Sequence, residues 1–201
     1  MSTAGMLARW PLRLARRFAR DRRGTVMVEL AFAIPVMTIV VFGVLETTHY
    51  LLMRQKMERA AATVSDLVSR SPVIFASDIP TIFAATRSVT APFDLTTDGN
   101  VIISSVYLAP GEPAPIIAWQ RDNGGALAHA SAFGTEGTTA SLPANFIMGQ
   151  DENVIISEVY YEYQPWIVGD LFPTQVVRHV GYRRPRLGNL NILTPDPPVS
   201  P

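Results

Sequence analysis

The stretch "VMVELAFAIPVMTIVVFGVL", residues 26 to 45, holds 20 residues and a single charge, that of Glu29. Coiled as an α-helix at about 1.5 Å per residue, it reaches about 30 Å, the thickness of a bilayer's hydrocarbon core. A segment of this length and composition is a candidate membrane span, and its flanks give the direction of crossing. Residues 1 to 23 carry seven arginines (Arg9, Arg13, Arg16, Arg17, Arg20, Arg22 and Arg23) against Asp21 alone, and residues 24 to 201 carry the opposite excess, so the chain is neutral only in total. A basic tip before an apolar run keeps the N-terminus on the cytoplasmic side and sends the residues beyond Leu45 across.

A cleaved secretory signal would need a small-x-small site after a longer apolar stretch. Ala31-Phe32-Ala33 comes too early for that, and Glu46-Thr47-Thr48-His49 offers no such site. Arg16-Arg17 and Arg22-Arg23 are arginine pairs, but their surroundings do not suit a twin-arginine signal. The span reads as a retained anchor.

Beyond Leu45 the helical pattern continues. Met53, Met57, Ala60, Val64, Leu67 and Val68 recur every three or four residues, and Arg54/Glu58 and Asp66/Arg70 are spaced for i, i+4 pairing. Pro72, with Ser69 and Ser71 before it, stops the run. One helix over Thr25 to Arg70 would be about 69 Å long, kinked at Pro35, with a stripe that must pack on the downstream domain or on other helices.

After Pro72 the chain turns to short β-favouring runs. Residues 100–108 ("NVIISSVYL") and 153–163 ("NVIISEVYYEY") are the clearest strands and share the pattern N-V-I-I-S-x-V-Y. We read that echo as two segments meeting the same sheet requirement rather than as a duplication. Residues 115–120 and 174–182 predict two weaker strands, and 78–88 a short helix. Arg121 to Ala144, rich in small residues and without period, reads as a long surface loop. In the second strong strand Ile155, Val159, Tyr161 and Tyr163 share one face, and Glu158, Tyr160 and Glu162 the other.

The chemistry that composition excludes is broad. With no cysteine there are no disulfides, thiolate zinc sites or cysteine nucleophiles. His49, His129 and His179 are too far apart for a short metal motif. Glu158 and Glu162 could be read as a carboxylate pair, but no acid, base or nucleophile signature completes a site, and no phosphate loop, zinc-protease or hydrolase motif is present. We therefore expect no enzyme activity, no cofactor and no metal. The arginines gathered in one leader, not spread over a folded surface, also argue against a nucleic-acid partner.

Glu29 remains to be explained, because a carboxylate in hydrocarbon costs a few kcal/mol. It could snorkel to the headgroups and pair with Arg22 or Arg23. It could instead be a consequence of processing, since cleavage after Gly24 would make Thr25 a new N-terminus, with Glu29 at mature position five.

The arginine-rich leader, Gly24, "TVMV" and Glu29 before an uncharged apolar run resemble the class III signal of type IV pilins and pseudopilins. More particularly they resemble TadE-like and TadG-like proteins of the tight-adherence (Flp) pilus system. Leu30 stands where that family often has an aromatic residue. "GQDENVIISEVYYEYQPW" (149–166) and "YRRPR" (182–186) are similar to the glycine/acid, Glu-Val-x-Tyr-x-Tyr-x-Pro and Arg-Pro-Arg stretches near the C-terminus of such proteins. The resemblance implies a minor pilin-like or pseudopilin-like component of the bacterial inner membrane, with a periplasmic C-terminal domain. It implies Gly24 and Thr25 as the processing site of a prepilin peptidase and Glu29 as the residue that pairs helices. Its implied partners are that peptidase, other pilin-like or pilus assembly proteins and inner-membrane lipid.

The expected fold is α+β: a long N-terminal transmembrane helix followed by a small, mostly antiparallel, β-rich exported domain. The expected division is a basic cytoplasmic leader (1–24), a transmembrane and extended amphipathic helix (25–70), a periplasmic domain (71–190) and an extended tail (191–201). A membrane-anchored periplasmic binding module unrelated to pili, and a tethered hydrolase, are the competing classes.

Overall fold

The computed structural model describes residues 23–167, 169 and 174–197. Among the described residues six elements succeed one another in chain order: helix α1 (Arg23–Ser69), helix α2 (Asp78–Thr90), and strands β1 (Gly99–Leu108), β2 (Ile116–Asp122), β3 (Glu152–Tyr163) and β4 (Gln175–Arg183). The leader up to Arg22 and the last four residues of the tail lie outside the described residues. The chain divides into two compact units, one ending at Leu45 and one beginning at Glu46.

In the first unit, residues from Val26 to Leu45 expose their apolar side chains; Phe32 is 74% and Ile39 72% exposed. That surface has no place in water and suits lipid. The helix runs unbroken through Pro35, which has no N–H to give the carbonyl of Ala31. Thr38 Oγ1 donates to the carbonyl of Ile34 at 2.8 Å, so its hydroxyl is satisfied within the helix.

The second unit is a four-stranded antiparallel sheet in the order β2-β1-β3-β4, covered on both faces. On one face Met53, Met57, Ala60, Ala61, Val64 and Val68 of α1 pack with Val101, Ile103, Trp119, Ile155, Val159, Tyr161 and Tyr163. The apolar stripe thus finds its partner in the chain's own sheet. Ile79 and Ile82 of α2 complete this core. Asp66 and Arg70 form the i, i+4 pair the spacing predicts, at 2.5 Å, whereas Arg54 lies over the ring of Tyr50, 5.8 Å from its centroid.

The two echoing segments are the central strands and pair with each other. Asn100 faces Tyr160, Val101 faces Val159, and the register holds without a slip to Tyr107 against Asn153. Because β1 and β3 are buried on both faces, both read as near-continuous apolar runs rather than alternating ones. Asn153 uses its buried amide fully, donating to Ser105 Oγ and the Val106 carbonyl and accepting from the Leu190 amide.

The segment after β2 corrects the expectation of a surface loop. It forms no strand of its own, yet Phe133 is 3% and Ala140 7% exposed, and they pack with Val106, Ile117, Val154 and Ile156 on the sheet's other face. Leu142, Phe146 and Met148 lie against the same cluster. In the tail Thr194 makes a parallel bridge with Phe75, and Asp196 Oδ1 accepts from the Ser77 amide.

Candidate functional site

Gly24 lies in the first turn of α1, and a Cβ added there would meet nothing within 4 Å. Thr25 is exposed beside it. Glu29 is exposed one turn further on. The side chains of Arg22 and Arg23, the two cations in reach by sequence, lie outside the described residues. Gly24, Thr25 and Glu29 therefore stand on one short helical stretch, with a carboxylate on a surface that is otherwise apolar.

Glu46 is a polar residue whose use the sequence does not disclose. It is the first residue after the apolar run, and its carboxylate accepts from the Tyr163 hydroxyl. The amides of Trp166 and Ile167 donate to its two oxygens at 3.1 and 2.9 Å. Burial pushes the Glu46 carboxyl up, but the three hydrogen bonds outweigh it and hold the group below its ordinary range. The Tyr163 hydroxyl is pushed up by burial and by the same bond. Around it, His49 lies 5.2 Å from Phe93 and 5.9 Å from both Tyr163 and Trp166, ring centre to ring centre. Tyr50 meets Tyr163 edge-on at 5.0 Å. The end of β3 is thereby fastened to the start of this unit's part of α1.

Glu158 is the second such residue. Its side chain is fully buried, and Arg178 on β4 reaches it with Nε and Nη2, each at 2.9 Å. Tyr160 Oη donates at 2.9 Å, the Ala132 amide at 3.1 Å, and the Ser131 hydroxyl donates to the other oxygen. Burial, then the bond to Glu158, pushes Tyr160 up to about 12. The Arg178 guanidinium lies 5.0 Å from the Phe133 ring centre, and His129 stacks on Tyr160 at 4.8 Å. The bonds from Ser131 and Ala132, the Arg178–Phe133 contact and the His129–Tyr160 stack fasten the segment after β2 to the sheet, and the Glu158 side chain is fully buried. Glu162 lies four residues further along β3, opposite Val176, and none of the Glu158 contacts above involves it.

Fold and site together define a single-pass membrane anchor followed by a four-stranded α+β domain. Residues 24–66 match the family model described as TadE-like protein. The match takes in the anchor, Gly24, Thr25, Glu29 and Glu46, and ends before the sheet. It points to a role in tight-adherence pilus assembly, in company with other pilus proteins; the family is not one of enzymes. No curated protein and no solved structure matches the chain.

Proposed function

We propose that the protein is a minor pilin-like, or pseudopilin-like, component of tight-adherence pilus assembly, anchored in the inner membrane and acting through contacts between helices and between proteins. The observation that carries the reading is the TadE-like match beginning at Gly24, with Glu29 as the one carboxylate on an exposed apolar helix. In this reading a prepilin peptidase removes residues 1–24, and Thr25 carries a new ammonium group one turn from Glu29. Glu29 then meets the amine of a neighbouring subunit as helices pack in register. A pair sheltered from water lowers the cost of both charges and fixes the axial offset between helices.

The proposed division remains leader, anchor with extended helix, domain over 71–190 and tail. The seven leader arginines support a cytoplasmic N-terminus and a periplasmic domain. A periplasm-dependent reporter fused after Pro201 should be active and a cytoplasm-dependent one silent; the reverse pattern overturns this orientation.

The function itself is tested in a deletion strain complemented with wild type, Glu29→Gln or Glu29→Leu. Both variants should insert in the membrane and fail to restore pilus output or co-purification with pilin-like partners. Full restoration by both would make Glu29 a snorkelling residue and remove the assembly role.

A further inference from the structure

Glu46 comes directly after Leu45, so whatever Glu46 holds is held within one residue of the end of the apolar run. What it holds is the main chain at Trp166 and Ile167, through two amide hydrogen bonds. Trp166 is 73% exposed, in a domain whose other described tryptophan, Trp119, is 2% exposed and gives its Nε1–H to the Leu190 carbonyl at 2.7 Å. The exposed indole belongs to a cluster of rings with His49, Tyr163 and Tyr50, and the last two carry a polar tip on an apolar body. Aromatic rings of this kind gather where hydrocarbon gives way to headgroups, because that boundary alone satisfies both ends of the ring.

We propose that Trp166, three residues after β3, makes a second membrane contact, lying among the lipid headgroups at the end of the span, and that Glu46 is the residue that positions it there. The proposal rests on the reading of residues 26–45 as a span and adds to it a lipid-binding surface on the folded domain. The occupant is lipid because the ring cluster is tied to the residue that ends the apolar run.

The test uses the full chain in vesicles of phosphatidylethanolamine and phosphatidylglycerol with acyl chains brominated near the headgroup. Subtracting the fluorescence of Trp166→Phe from that of wild type isolates the Trp166 signal. Bromine should quench about half of that signal, and aqueous acrylamide should reach it poorly. Glu46→Ala should lower the bromine quenching about twofold, because the amides it orders are released.

A Trp166 signal that bromine leaves unchanged overturns the proposal, whether acrylamide reaches the ring or a protein neighbour shields it. Quenching unaffected by Glu46→Ala overturns the positioning role of Glu46. The chain has no cysteine, so a label on Val36→Cys reports the span independently. A label buried in lipid beside an unquenched Trp166 leaves the anchor standing and removes the second contact. A label in water removes both.

Discussion

The Ser157 hydroxyl on β3 donates to the main-chain carbonyl of Ala61 on α1 at 2.5 Å, which brings helix and sheet into backbone contact. Gly181 on β4 lies directly across from Ser157 and completes the approach. A Cβ at Gly181 would sit 2.5 Å from the Ala61 oxygen and 2.8 Å from Ser157 Oγ. Small residues at 61, 157 and 181 are thus the condition for α1 to lie this close.

Gly181→Ala should therefore destabilise the domain by about 1–3 kcal/mol, since the atoms in its way are backbone and cannot rotate aside. Ser157→Ala removes only a hydroxyl and should cost about 0.5–1.5 kcal/mol. Urea unfolding of the full chain in detergent micelles, monitored through Trp119, measures both. A Gly181→Ala protein as stable as wild type would mean that α1 is not seated on β4.

Glu158→Ala leaves the Ala132 amide and the Ser131 hydroxyl without an acceptor, the Tyr160 hydroxyl with only the Ala130 carbonyl at 3.4 Å, and Arg178 without its anion. Breaking a buried pair costs about 3–5 kcal/mol, and the Arg178 side chain, 35% exposed, recovers part of that from water, so we expect about 3 kcal/mol. Limited proteolysis should cut within residues 126–141 faster than in wild type. Glu158→Gln keeps an acceptor and should fall between. Unchanged cleavage would show that this segment is held by Phe133 and its neighbours alone.

His179 lies on the helix-facing side of β4, with Nε2 buried and without a hydrogen-bond partner. Burial holds its pKa below the ordinary value, the nearby Arg54 adds to the effect, and Glu58 opposes it. The folded state thus prefers the neutral ring. Its contribution to stability is present above the unfolded pKa of about 6.5 and is lost as pH falls from there through the folded value. His179→Gln should flatten the stability profile in that window while leaving the profile above neutral pH parallel to wild type. An unaltered slope below pH 6.5 would contradict the assignment.

Sequence made the long helix, both central strands and the side of β3 that faces the core legible, because periodicity and β-branched content are local properties. The helix expected over 25–70 runs over Arg23–Ser69, and the weaker strands are β2 and β4. Register was only half legible: the matching N-V-I-I-S-x-V-Y segments announced two similar strands, but not that Asn100 meets Tyr160 and Tyr107 meets Asn153. The cover of the second face was hidden. Phe133, Leu142, Phe146 and Met148 are spaced without period and pack on residues of β1, β2 and β3 far from them in sequence. Glu158 itself looks solvent-facing in a strand, since its partners Ser131 and Arg178 are 27 and 20 residues away. Glu46 was legible as the end of the apolar run, but its bonds to amides 120 and 121 residues away have no sequence signature. Gly24 and Glu29 stood out because a small residue after arginines and a lone carboxylate in an apolar run are local anomalies.

In the proposed function residues 24–66 work as a pilin-like element released at Gly24, and the intact mass of the protein from membranes shows whether that release occurs. With an active cognate prepilin peptidase, the mass should fall by that of residues 1–24 and sequencing should begin at Thr25. Gly24 replaced by a bulky residue should leave the full-length form. A wild-type chain that keeps its full mass while the peptidase processes another pilin in the same cells would contradict the account.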